Sequence, residues 1–160
     1  GAEAAALATA RAIRQTTLFR VHHLHAWVHL RRGELDLAAT EASLARTHGL
    51  PLFRGLAADV LARIELARGR PHEALDLAEA ALTAVQPLDR LGDASMLRLT
   101  RAESLDALNL RDEARTVIAE ARERIVRIAD GFAAARLRTS YLERMPANAR
   151  TLELARRWGV

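Results

Sequence analysis

The chain has no cysteine, which excludes a disulfide framework and any thiolate-held metal. It has no lysine either, so all 24 basic residues are arginine. Arginine titrates so high that a formal charge of only +4 carries the pI to about 11.0. Aromatic residues make up 4% of the chain, so the core must be built from small and medium aliphatic side chains. No apolar run reaches the ~18 residues that a membrane helix needs, and the N-terminus lacks a secretory signal pattern. A cytoplasmic setting is therefore expected. The eight glycines are scattered and form no phosphate loop, and Ser95, Ser104 and Ser140 lack the glycines of a nucleophile elbow. No segment sustains the two-residue alternation of a strand.

What is present is helical periodicity. In residues 51–87, Leu52, Phe53, Leu56, Val60, Leu61 and Ile64 fall at helical spacings, with Arg54, Asp59 and Arg63 between them. Gly69 is placed to end that helix in the left-handed conformation. Pro71 suits the first turn of the next helix, and Glu73 and Asp76 set negative charge near its N-terminus. Ala74, Leu75, Ala78, Ala81, Leu82 and Val85 continue the stripe, and Pro87 stops it.

The unit recurs. Ala62, Gly69, Ala74 and Ala81 are spaced by seven, five and seven residues. Ala26, Gly33, Ala38 and Ala45 repeat those spacings upstream, and Ala102, Asn109, Ala114 and Ala121 repeat them downstream. Small residues at these points let helices approach closely, and Asn is the best substitute for Gly at a left-handed turn. The pattern resembles the tetratricopeptide repeat, a helix–turn–helix unit of about 34 residues. At the family's usual early aromatic, this chain has His22, Ala58 and Arg98. Residues 138–158, RTSYLERMPANARTLELARRW, resemble the closing segment of repeat domains at the C-terminus of large bacterial regulatory ATPases and protein kinases.

The resemblance implies an all-α fold, a right-handed α-solenoid of antiparallel hairpins, over a single domain spanning 1–160. Residues 2–15 would be the second helix of a truncated repeat, with Thr16 or Thr17 capping the helix that follows. Repeats would occupy 16–50, 51–88 and 89–130, with a capping hairpin at 131–160. Within them, helices are expected at Glu34–His48 (ending at Gly49), from Asp93 to Leu108 after a connector at Asp89–Gly92, at Arg111–Asp130, and at Ala133–Met145 and Ala147–Trp158 around Pro146.

Charge is unevenly spread. Residues 4–33 contain no acid but hold Arg11, Arg14, Arg20, Arg31 and Arg32. Residues 34–132 carry 13 arginines against 17 acids, and residues 133–160 carry six against two. The stretch VHHLHAWVH (21–29) places His22, His25 and His29 on one helical face. Histidines at such spacing can bind zinc, but the stretch lacks the acidic partner and the later third ligand of a known zinc-enzyme motif. Packing or partly solvated histidines that make the repeat pH-sensitive are the plainer reading.

In tetratricopeptide proteins the first helix of each hairpin lines a concave groove. That face corresponds to Arg20, His23, Trp27 and Arg31 in the first repeat, Asp59 and Arg63 in the second, and Leu99, Glu103 and Asp106 in the third. The expected function is a non-catalytic protein-binding or regulatory scaffold within a bacterial signalling or transcriptional regulator. Its partner would be a peptide, another protein, or another domain of the same chain. No cofactor and no membrane are expected. Self-association is one way to cover the apolar stripe of residues 2–14. Nucleic-acid binding through the N-terminal arginines is the alternative, although the acidic middle interrupts any phosphate track.

Overall fold

The computed structural model describes residues 2–48, 51–85 and 94–160. Expected helix ends at Gly49 and Pro87, the connector at Asp89–Gly92 and the Asp93 cap lie outside them. Among the described residues there is helix and turn but no strand. The elements are α1 (Ala2–Arg32), α2 (Leu35–Thr47), α3 (Pro51–Ala67), α4 (Pro71–Val85), α5 (Ser95–Ala107), α6 (Arg111–Asp130), α7 (Ala135–Thr139), a π-helical turn (Ser140–Arg144) and α8 (Pro146–Trp158). They form two compact units, Gly1–Gln86 and Pro87–Val160.

Three hairpins, α1–α2, α3–α4 and α5–α6, share one turn. Gly33, Gly69 and Asn109 have φ of +76°, +73° and +62°. At the first turn the Glu34 amide donates to the His29 carbonyl (3.0 Å) and the Gly33 amide to Leu30 (3.1 Å). Arg70 to Glu65 with Gly69 to Leu66, and Leu110 to Leu105 with Asn109 to Asp106, repeat that pair of bonds at 2.9–3.0 Å. The left-handed residue reverses the chain while satisfying carbonyls that a helix end leaves open.

The small residues beside each turn explain how closely the helices approach. Ala26, Ala38, Ala45, Ala62, Ala74, Ala81, Ala102, Ala114 and Ala121 are all at most 2% exposed. Gly55 extends the same device in α3, since a Cβ there would fall within 3.0 Å of the branched side chain of Val85 on α4.

In the first unit α3 packs against both helices of the α1–α2 hairpin. Ala26, Ala38, Ala42, Val60, Leu61 and Ile64 form its main core, covered by Trp27, Leu30 and Leu35. Phe19, Ala45 and Ala57 form a second cluster with Phe53 and Leu56. In the second unit α8 packs on both α5 and α6. Leu97, Leu105, Ile118, Ile125 and Leu154 are its largest fully buried aliphatics. The first unit thus consists of two packed hairpins, and the second of one hairpin with the C-terminal α8 packed on both its helices.

Two expectations are corrected. Residues 2–32 form one continuous helix, not two helices broken at Thr16 or Thr17. Thr17 Oγ1 donates to the Ile13 carbonyl (2.9 Å), so its hydroxyl is satisfied within the helix and does not act as a cap. No Gly or Pro lies between Ala2 and Arg32 to interrupt the run. The expected helix Ala133–Met145 is instead the short α7 followed by the π-helical turn. Buried Asn148 donates Nδ2 to the Tyr141 carbonyl (2.9 Å) from the first turn of α8, engaging a carbonyl of that wider turn. Pro146 then starts α8, where its missing amide is harmless.

Candidate functional site

The residues expected on the binding face separate by unit. In the first, α1 supplies His23 and Trp27 and α3 supplies Asp59 and Arg63, and the structure brings these four together. The Arg63 guanidinium lies 5.7 Å from the Trp27 ring centroid, a cation–π arrangement. Arg63 Nε donates to Asp59 Oδ2 at 3.1 Å, between neighbours one turn apart on α3. Asp59 has a side chain only 1% exposed, so it positions Arg63 from behind the surface. Trp27 and Arg63 remain partly accessible above it. Arg20 and Arg31, on the same side of α1, are exposed and form no ion pair among the described residues.

His23 is the hinge of this cluster. Its Nε2 accepts from Trp27 Nε1 (3.2 Å), which places the ring proton on Nδ1. Nδ1 is buried and has no acceptor among the described residues. The ring stacks on Phe19 (5.1 Å), which in turn stacks on Phe53 (4.5 Å). Burial in this aromatic column lowers the His23 pKa below 6.5, with the Asp59 charge opposing the shift.

A pH dependence follows. The unfolded chain takes up a proton on His23 at higher pH than the folded chain does. The stability contributed by neutral His23 is therefore complete above about pH 6.5. It is lost as pH falls from there through the lower, folded-state pKa. His23→Gln keeps a side-chain acceptor for the Trp27 indole without titrating. Its urea midpoint is expected to fall less than that of the wild type between about pH 7.5 and 5.5. Trp27 fluorescence in a Trp158→Phe background reports the transition.

The third-repeat residues lie in the second unit and behave differently. Leu99 is 3% exposed and contributes to packing, so it offers no contact surface. Glu103 accepts from Arg150 Nε of α8 at 3.2 Å. Glu153 and Glu103, the former most strongly, hold the Arg150 proton more firmly than usual. Asp106 is partly exposed beside the Asn109 turn. For Glu103 the cause is α8, which packs on α5 and brings Arg150 onto part of the face assigned to a groove. Reading the repeat alone cannot reveal that cover.

The three histidines do not converge on one point. His22 Nδ1 donates to Glu41 Oε2 (2.8 Å), and His25 Nδ1 lies 3.5 Å from the same oxygen. His29 pairs instead with Glu34 at the turn. Among the described residues no group of three or more His, Asp or Glu is arranged to hold a metal ion. The acidic partners come from the hairpin turn, Glu34, and from α2, Glu41. Their signal in the sequence is the Gly33 turn, which sets Glu34 and Glu41 back alongside the histidines. His48 also stacks on His22 (5.8 Å).

Comparison with known protein families, with curated proteins and with solved structures finds no match to this chain. Among the described residues no helix is long and apolar enough to cross a membrane.

Proposed function

We propose that this chain is a non-catalytic protein-binding module of tetratricopeptide type, a right-handed solenoid of hairpins that presents a groove to an acidic or aromatic peptide. In this reading it serves as a cytoplasmic regulatory scaffold within a larger bacterial signalling or transcriptional regulator. The observation that carries the reading is the Trp27–Arg63 platform. A guanidinium held over an indole by a buried carboxylate is already ordered before binding. It can pair with a carboxylate or stack on a ring at little entropic cost. Exposed Arg20 and Arg31 extend its positive potential along α1.

The test is capture of proteins from a nuclease-treated lysate by the wild-type chain and by Arg20→Glu/Trp27→Ala/Arg63→Glu, with circular dichroism confirming that the variant folds. Each captured protein is then remade and titrated against both. A partner bound by the wild type and weakened about a hundredfold in the variant supports the groove, since hot-spot truncations cost several kcal/mol. Equal binding to both removes the platform from the site.

A second reading, nucleic-acid binding, draws on the exposure of Arg11, Arg14, Arg20, Arg31 and Arg32 along one helix. It requires affinity for duplex or single-stranded probes that falls steeply with salt.

A further inference from the structure

The first hairpin has a second exposed face that the groove reading does not use. On α1, Val21, Leu24 and Val28 are 44%, 60% and 46% exposed. On α2, Leu37 and Leu44 are 54% and 39% exposed. These positions are in register. Val21, His25 and Val28 follow one another at four and three residues on α1, and Leu37, Glu41 and Leu44 do the same on α2. The contact between His25 and Glu41 (3.5 Å) ties the two rows side by side. The result is a two-helix face with aliphatic walls and a His–Glu seam along its floor. Ile13, 62% exposed and three turns before Leu24, extends the α1 wall toward the N-terminus. An aliphatic face of this extent on one hairpin marks an interaction surface.

Charge identifies the occupant. Arg20 and Arg31 border the α1 stripe on one side, and Arg14 and Arg32 border it on the other. All four are exposed and without ion pairs among the described residues. The acids nearby are already engaged, Glu34 by His29, Glu41 by His22 and His25, and Asp36 by Arg68. Arg14, Arg20, Arg31 and Arg32, with Arg68, outnumber the carboxylates of Glu34, Asp36 and Glu41, so the charge around the face is positive. A second copy of the chain would bring the same arginines against these, and like-charge repulsion disfavours that pairing. We propose that this face docks an amphipathic helix of a partner protein, one whose apolar stripe is bordered by Asp or Glu. The helix would lie along the hairpin on the side away from α3, its leucines between the two aliphatic walls and its acids against the arginines.

Two synthetic helical peptides of about 20 residues test this, with one leucine stripe and either Glu or Lys flanks. Each is titrated into the full 160-residue chain by fluorescence anisotropy. The Glu peptide is expected to bind about tenfold or more tightly than the Lys peptide, with affinity falling as salt rises. Leu24→Asp/Val28→Asp, at exposed positions that leave the fold intact, is expected to abolish binding. Arg14→Glu/Arg32→Glu is expected to reverse the order of the two peptides. Trp27→Phe/Arg63→Gln, with its fold checked by circular dichroism, is expected to leave binding unchanged, which separates this face from the proposed groove. The proposal is overturned by failure of the Glu peptide to bind or by equal affinity for both peptides. It is equally overturned by binding lost in the Trp27/Arg63 variant but kept in the Leu24/Val28 variant. A wild-type dimer in sedimentation equilibrium that Leu24→Asp/Val28→Asp dissociates would assign the face to a second copy instead. Cosedimentation with phosphatidylglycerol vesicles that needs Leu24 and Val28, without Glu-peptide binding, would assign it to a membrane surface.

Discussion

Replacing Phe19 with alanine is expected to destabilise the first unit by about 3–5 kcal/mol, the range for truncating a buried phenylalanine. Phe19 is 3% exposed and clusters with Ala45 of α2 and Ala57 of α3, with Phe53 and Leu56 packed against them. Its ring also closes the stack between His23 and Phe53. The neighbours that would have to collapse into the vacated space include two alanines, whose short side chains cannot reach across it. That places the cost toward the upper end of the range. Against a typical native stability of about 5–15 kcal/mol, the variant would lose a large share of its margin. Urea unfolding followed by Trp27 fluorescence in a Trp158→Phe background gives the midpoint shift directly. Phe19→Leu, which keeps most of the apolar volume, is expected to cost about 1.5 kcal/mol or less. A loss below about 1 kcal/mol for Phe19→Ala would mean that α1 does not depend on this cluster for its packing on α3.

Much of the fold was legible because its rules are local. A left-handed residue at Gly33, Gly69 and Asn109 and alanines at fixed offsets are visible as spacings, and the structure shows the turns and burial that those spacings imply. Arg111–Asp130, bounded by Asn109 and Gly131, is one helix with the expected limits. Prediction failed where local preference competed with something else. Thr17 is a good cap, but it is equally satisfied by the carbonyl one turn back, and the Ala-rich run before it, with no Gly or Pro after it, favours continuing the helix. The π-helical turn depends on Asn148, seven residues after the carbonyl it holds, and no periodicity reports such a bond.

The candidate site divides along the same line. His23, Trp27, Asp59 and Arg63 came together because α1 and α3 occupy equivalent places in consecutive repeats, so a face could be carried from one to the other. Leu99 and Glu103 did not join them as free surface, because the helix that engages Glu103 through Arg150 arrives 47 residues later in the chain. The His–Glu pairs were missed for a related reason. A search for metal or proton chemistry along a single helix ignores the hairpin mate, and Glu41 stands 19 residues from His22. The exposed wall of α1 was not read, because only burial in the folded chain separates Val21, Leu24 and Val28 from the core residues beside them.

The sharpest test of the repeat itself is overpacking. Ala62→Leu is expected to destabilise the first unit by about 1–3 kcal/mol or more, although Ala and Leu have nearly the same helix propensity. Ala62 is fully buried and packs with Ala74 and Ala78 of α4, beneath Leu66 and Leu77. An isobutyl group there must push α3 and α4 apart or force neighbouring side chains off their rotamers. The same substitution at Ala67, exposed in the last turn of α3, is expected to change stability by no more than about 0.5 kcal/mol. Comparing the two separates crowding from any intrinsic effect of leucine in this helix. Ala26 and Ala102 are also fully buried and hold the equivalent place in the other two hairpins. If the quartets are one structural device used three times, Ala26→Leu and Ala102→Leu carry costs in the same range, read from Trp27 and Trp158 respectively by urea unfolding. A cost at Ala62 with none at the other two would mean that the matching spacings conceal different packing. Comparable costs at all three would make close helix approach at these alanines the shared physical basis of the hairpins.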